Sequence, residues 1–269
     1  AMEKVRTLVR DMIRFPEDLK REHLALWRRG ELVGDFEQLH PGEQTHRASK
    51  RAGLRALPED WRNRLVRAAD DAGSIFAIAI AVICLTGYRP VEVALGVELI
   101  LEGGELRVRI RGAKYVPGLS GQAWRELIFP APASCPGGRA ILKWMAAASG
   151  VGSTTSTGQS MMVQVKSRQA LCNAVRDFGR PLSVPGVHDI SCLSLRHAFA
   201  SDLKAAGYAP AEIAAALGHA VDKTCTMYGM CVQGRGGLSI RVRTSGPVKP
   251  TRQAPPAARR KAPKRRNGP

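Results

Sequence analysis

From Ile75 to Leu85 the chain passes without one polar side chain. A helix of that composition has no face to offer water, so the rest of the protein must surround it. The run is too short to cross a bilayer, which takes about 20 apolar residues, and it lacks the flanks of a secretory signal. The spacing therefore predicts a central, buried helix over Ser74 to Leu85. A hydrophobic share of 44% supplies ample material for the core around it.

Periodicity places the neighbours. Leu57-Pro58-Glu59-Asp60-Trp61 reads as a helix start, with proline near the first turn and acids facing the positive end of the dipole. Beyond Arg89 the period changes, and Leu106-Arg107-Val108-Arg109-Ile110-Arg111 alternates as a half-exposed strand does. Gly112-Ala113-Lys114 turns, and Glu126 to Phe129 returns as the partner strand. Helices are expected at Arg139 to Ala148, Lys166 to Phe178, Ser194 to Ala206 and Pro210 to Leu217, with a Gly/Ser/Thr-rich loop from Gly150 to Ser160. Leu238 to Arg243 alternates again and reads as an edge strand. The fold class is mainly α with a small antiparallel sheet or hairpin.

Four stretches follow. Residues 1–50 read as a short helical segment, interrupted at Pro16, and a linker; residues 51–235 carry the main domain. Residues 236–248 form a C-terminal strand extension. Residues 249–269 are a basic tail with eight Lys or Arg and no acid, a composition with nothing to bury and hence disordered.

A formal charge of +18 attracts polyanions, and nucleic acid is the default reading. A membrane surface is the weaker partner, since neither a basic amphipathic helix nor a lipidation signal is present. Six cysteines at irregular intervals, with no Cys-x-x-Cys pair, match neither a zinc site nor a disulfide framework. Reduced thiols fit the cytoplasm, in association with the nucleoid. No metal or other cofactor is implied.

Three boxes carry the chemistry. Arg89 stands in Thr86-Gly87-Tyr88-Arg89-Pro90-Val91-Glu92, and Arg196 in Leu195-Arg196-His197-Ala198-Phe199-Ala200. Leu217-Gly218-His219 is followed by Thr224 and Tyr228. A guanidinium donates two hydrogen bonds to two phosphate oxygens at once and stays charged. A tyrosine can attack a phosphodiester and conserve its bond energy as a phosphotyrosine. Each residue alone has a plainer reading. An arginine is usually a solvated charge, Tyr228 a core tyrosine, His219 a helix C-cap, and Lys114 a solubilising turn residue.

In combination and order these boxes resemble the tyrosine recombinase (phage integrase) catalytic domain, from about Leu57 to Tyr228. The resemblance implies that fold, with Tyr228 as nucleophile and Arg89 and Arg196 as the phosphate clamp. It further implies His219 as a phosphate ligand, Glu92 as a buttress and Lys114, in the hairpin turn, as general acid to the leaving 5′-oxygen. His197 is either a structural hydrogen-bonding residue or a phosphate ligand. Residues 1–50 become a partial core-binding domain. Double-stranded DNA is the partner, bound by a homotetramer, and the activity is site-specific strand cleavage and rejoining through a 3′-phosphotyrosyl intermediate.

One position departs from the pattern. Leu193 stands three residues before Arg196, where the family carries a histidine or another polar group. His188 replaces it only if the intervening loop folds back. A DNA-binding accessory protein with lost turnover and a type IB topoisomerase are the alternatives. Arg107, Arg109 and Arg111 share one strand face and are candidates for DNA-backbone contact, or simply a wet face.

Overall fold

The computed structural model describes residues 53–117, 120–148, 158–184, 189–235 and 238–251. These lie within one compact unit, Ala48–Pro269. The expected N-terminal segment of residues 1–50, His188, most of the Gly150 to Ser160 loop and the tail from 252 onward fall outside the described residues.

Helix α1, Trp61–Asp71, buries Trp61, Leu65, Val66 and Ala69 on one face. It packs on α2, Ala77–Thr86, the apolar run singled out above, nine of whose ten residues are buried. That helix stops at Gly87, where φ is +59° and the backbone N–H caps Ile83 O. Only glycine serves here. A Cβ would require the left-handed region and would lie 2.9 Å from Phe199 Cβ and 3.2 Å from Arg196 Cα. Gly87 thus lets the first two boxes touch backbone to backbone.

The short α3, Pro90–Ala94, begins at once, with proline at its first position and the Glu92 carboxylate accepting from the Arg89 N–H. Strands β1 (Val97–Glu102), β2 (Glu105–Arg111) and β3 (Trp124–Phe129) follow as an antiparallel meander. Helix α4, Gly138–Ala148, returns along α2, and β4, Gln159–Val163, pairs with β1. Helices α5 (Arg168–Gly179), α6 (Cys192–Ala205) and α7 (Pro210–Ala216) complete the helical layer. Strand β5, Arg241–Thr244, closes a five-stranded antiparallel sheet of order β4-β1-β2-β3-β5.

The expected fold class, mainly α with one small antiparallel sheet, is the observed one. Two of its strands are absent from the sequence reading. β1 loses strict alternation at Leu99-Ile100-Leu101, and β4 is a five-residue edge whose first two residues overlap the expected Gly150 to Ser160 loop. β5 begins three residues later than expected.

The register explains the charged face of the sheet. Glu98, Arg109, Glu126 and Arg243 are successive cross-strand neighbours, alternating in sign, and are joined by ion pairs. One row along, Val97, Ile110, Arg125 and Thr244 are aligned, and the first three are buried.

Helix α6 is buried on almost every side. Ser191 caps it, its Oγ accepting from the Ser194 N–H. On one flank Arg62 of α1 donates to Asp202 at 2.5 Å, and both side chains are about 6% exposed. The second Asp202 oxygen accepts from the Arg235 N–H. Asp202→Ala is expected to cost about 3–5 kcal/mol in urea unfolding, because it strands a buried guanidinium. Arg62→Met with Asp202→Leu should recover most of that loss.

Candidate active site

The C-terminal ends of α2 and α7 meet the N-terminal half of α6 and strand β3, where Gly87 leaves room for Arg196 and Phe199 and Gly218 leaves room for Arg125. Arg196 enters from α6, only 3% exposed. Its Nη1 donates to Gly87 O at 2.8 Å, and its Nη2 to Leu217 O at 2.6 Å and His219 Nε2 at 3.1 Å. One guanidinium therefore ties all three boxes together. An arginine has five N–H groups, so with three of them engaged, two remain, and Nε–H has no acceptor among the described residues.

Arginine cannot accept, so His219 Nε2 must be the acceptor and its proton sits on Nδ1. That Nδ1–H is buried with no acceptor among the described residues. Burial, then the charges of Arg196, Arg89 and Arg125, push the imidazole down to about 3. His219 is thus a neutral donor at neutral pH. Burial and the same Arg89 and Arg125 charges lower Arg196 as well, yet a guanidinium stays protonated. The depression reports how poorly its charge is compensated.

The His219 shift has a consequence for stability. The unfolded chain protonates this group near its ordinary 6.5, whereas the folded chain resists until about 3. The unfolded state binds more protons across that window, so stability is present above 6.5 and is lost as pH falls. Between pH 6.5 and 4.5 this group should contribute a loss of about 2 kcal/mol in urea unfolding. His219→Gln should flatten that part of the profile.

Arg89 reaches the cluster from the cap of α3. Its Nη1 donates to Glu92 Oε1 at 3.0 Å. Glu92 is fully buried and also accepts two bonds from Arg125, Nη1 to Oε1 at 3.1 Å and Nη2 to Oε2 at 2.9 Å. Burial alone would raise this carboxyl, but the Arg125 pair, then Arg89, outweigh it and hold it at about 2. Four donors fill its two oxygens, so Glu92 is a saturated acceptor with no capacity left for a substrate.

Tyr228 follows a 3₁₀ turn, Asp222–Met227, and is half-buried. The Arg196 Cζ lies 4.8 Å from its ring centroid, and the rings of His197 and His219 are each 5.4 Å away. Helix α6 holds this segment by its backbone. Lys204 Nζ donates to Tyr228 O at 2.6 Å and to Gly229 O at 3.1 Å, and the Gly229 N–H donates to His197 Nδ1 at 3.2 Å. His197 therefore makes a structural bond, to the backbone just after the tyrosine.

The remaining candidates stand apart. Lys114 is exposed in the β2–β3 turn, with no side-chain bond to the cluster among the described residues. The base of its hairpin is nonetheless anchored there, since Gln122 Nε2 donates to His219 O at 3.2 Å. Leu193 is 43% exposed on the first turn of α6. Arg107 pairs with Glu102, and Arg109 with Glu126 and Glu98, so two of the three candidates for DNA-backbone contact are engaged by carboxylates. Arg111 alone of the three is exposed without a carboxylate partner among the described residues. Of the Leu238 to Arg243 stretch, expected as an edge strand, the residues from Arg241 onward pair with β3 as β5.

Arg125 was missed from the sequence. The signal was its phase, two residues before Leu127 and four before Phe129 on the core-facing side of a strand. With it the cluster holds three guanidiniums against one carboxylate and a neutral histidine, an excess of two positive units beside a phenol. Such a site favours an oxyanion, and more so as that anion gains charge. Among the described residues no group of three His, Cys, Asp or Glu is placed to hold a metal ion, and no helix is long and apolar enough to cross a membrane.

No family model and no curated protein matches the chain. Among solved structures it is similar to the crystal structure of XerA recombinase, with 20% identity and a TM-score of 0.44. That match covers 64% of this chain and spans 58% of the other, a remote likeness.

Proposed function

We propose that this chain cleaves and rejoins DNA through Tyr228, as a site-specific recombinase of the tyrosine type. The observation that carries the reading is the Tyr228 ring against the Arg196 guanidinium, inside a buried cluster with two uncompensated positive charges. A phosphodiester enters such a site with one negative charge. On attack by the phenol oxygen, whose proton passes to solvent, it goes through a phosphorane with a second, so the cluster gains most from the transition state.

Arg89 and Arg196 hold the equatorial oxygens, and the Nδ1–H of His219 donates a further bond. The strand is cut as the bond to the 5′-oxygen breaks, leaving a 3′-phosphotyrosine and a 5′-hydroxyl. Lys114, on its anchored hairpin, protonates that leaving oxygen when DNA draws the turn inward. The excess of +18 supplies salt-sensitive affinity for the duplex. On DNA the protein works as a tetramer.

The test is a duplex carrying a nick next to the scissile phosphate, so that the short product diffuses away and the covalent complex accumulates. A denaturation-resistant adduct mapping to Tyr228 by peptide mass is expected. Tight DNA binding with no adduct would instead favour an accessory protein, the reading to which an exposed Leu193 in place of an acid–base group points. Relaxation of supercoiled plasmid without a cognate site would favour a topoisomerase.

A further inference from the structure

Arg125 sits where an apolar residue is cheapest. It is fully buried, and in its cross-strand row its neighbour toward the sheet interior is Ile110. Replacing a buried ion pair by well-packed apolar groups is commonly neutral or stabilising, so fold stability alone gives a poor account of this guanidinium. Its surroundings are shaped around it. Gly218, at φ +71°, keeps the space open, since a Cβ there would lie 2.7 Å from Arg125 Nη1. The bidentate grip on Glu92 uses one lone pair on each carboxylate oxygen and leaves the others to Arg89.

We infer that Arg125 is a positioning residue, one that takes up the charge of Glu92 so that the charge of Arg89 stays available to a bound anion. The inference rests on reading the cluster as a phosphodiester site, which it deepens. With Arg125 present, Glu92 is shared by two cations. Without it, Glu92 and Arg89 close into a neutral pair, and the excess falls from two positive units to that of Arg196 alone. Glu92 in turn orients Arg89 through both the side chain and the backbone N–H.

Charge rescue tests this. Sulfate, a dianion, is titrated calorimetrically at fixed ionic strength into the full chain and into Arg125→Met, Glu92→Gln/Arg125→Met and Arg196→Met, the last setting the background from the basic surface. Arg125→Met should lose affinity by about tenfold or more, equivalent to about 1.4 kcal/mol. The double variant, whose excess is again two positive units, should return to within about threefold of the parent. Should Arg125→Met fail to fold, the double variant carries the test, because it leaves no stranded charge.

A parent that binds no more sulfate than Arg196→Met overturns the inference. So does Arg125→Met at parental affinity, or a folded double variant that stays weak. A parent that follows the expected sulfate pattern yet forms no adduct on nicked DNA overturns the catalytic reading and leaves the role of Arg125 standing.

Discussion

Tyr228→Phe should bind duplex DNA as tightly as the parent and form no covalent adduct, a loss of at least about 10⁴-fold in the single-turnover rate on the nicked substrate. The substitution removes one oxygen and little else. The ring keeps its place against Arg196, His197 and His219, because backbone bonds from Lys204 and to His197 hold the segment, not the phenol. A melting temperature within a few degrees of the parent is therefore expected, which separates lost chemistry from lost fold. An adduct that survives the change moves the nucleophile elsewhere and removes the basis for the proposed mechanism.

Arg196→Lys is the second large effect, with cleavage expected to fall on the order of 10³-fold or more. Lysine keeps the charge but not the planar fork that spans Gly87 O, Leu217 O and His219 Nε2. DNA affinity should change far less than the cleavage rate. The ground-state phosphate carries one negative charge and is held along the whole basic surface, whereas the second charge exists only in the transition state. Equal losses in affinity and in rate would mean that Arg196 contributes uniform binding alone. The variant should also melt lower, since two buried carbonyls lose their donor.

Much of the architecture was legible because it is local. The apolar run from Ile75 to Leu85 could only be buried, and α2 is its observed counterpart. The alternation from Leu106 to Arg111 is β2, with its arginines on the less buried face. β4 was not legible, since an edge strand such as Gln-Ser-Met-Met-Val owes its existence to pairing with β1 rather than to propensity. Among the candidate site residues, Arg89, Glu92, Arg196, His219 and Tyr228 converge, while the Lys114 side chain makes no hydrogen bond or ion pair with them among the described residues.

What the sequence determined by itself was residue type and spacing. Glycines sit where helices end, arginines and a histidine fall in three boxes, and a tyrosine lies nine residues beyond His219. What only tertiary structure decided is how those charges are compensated. Arg109 and Arg125 are both arginines in strands, Arg109 between Val108 and Ile110 and Arg125 between Trp124 and Glu126. The register gives Arg109 to a half-exposed ladder of glutamates and puts Arg125 in the core against Glu92. A charge near water is screened and one in the interior is not, and burial is a property of the assembled sheet and helices that no single segment carries.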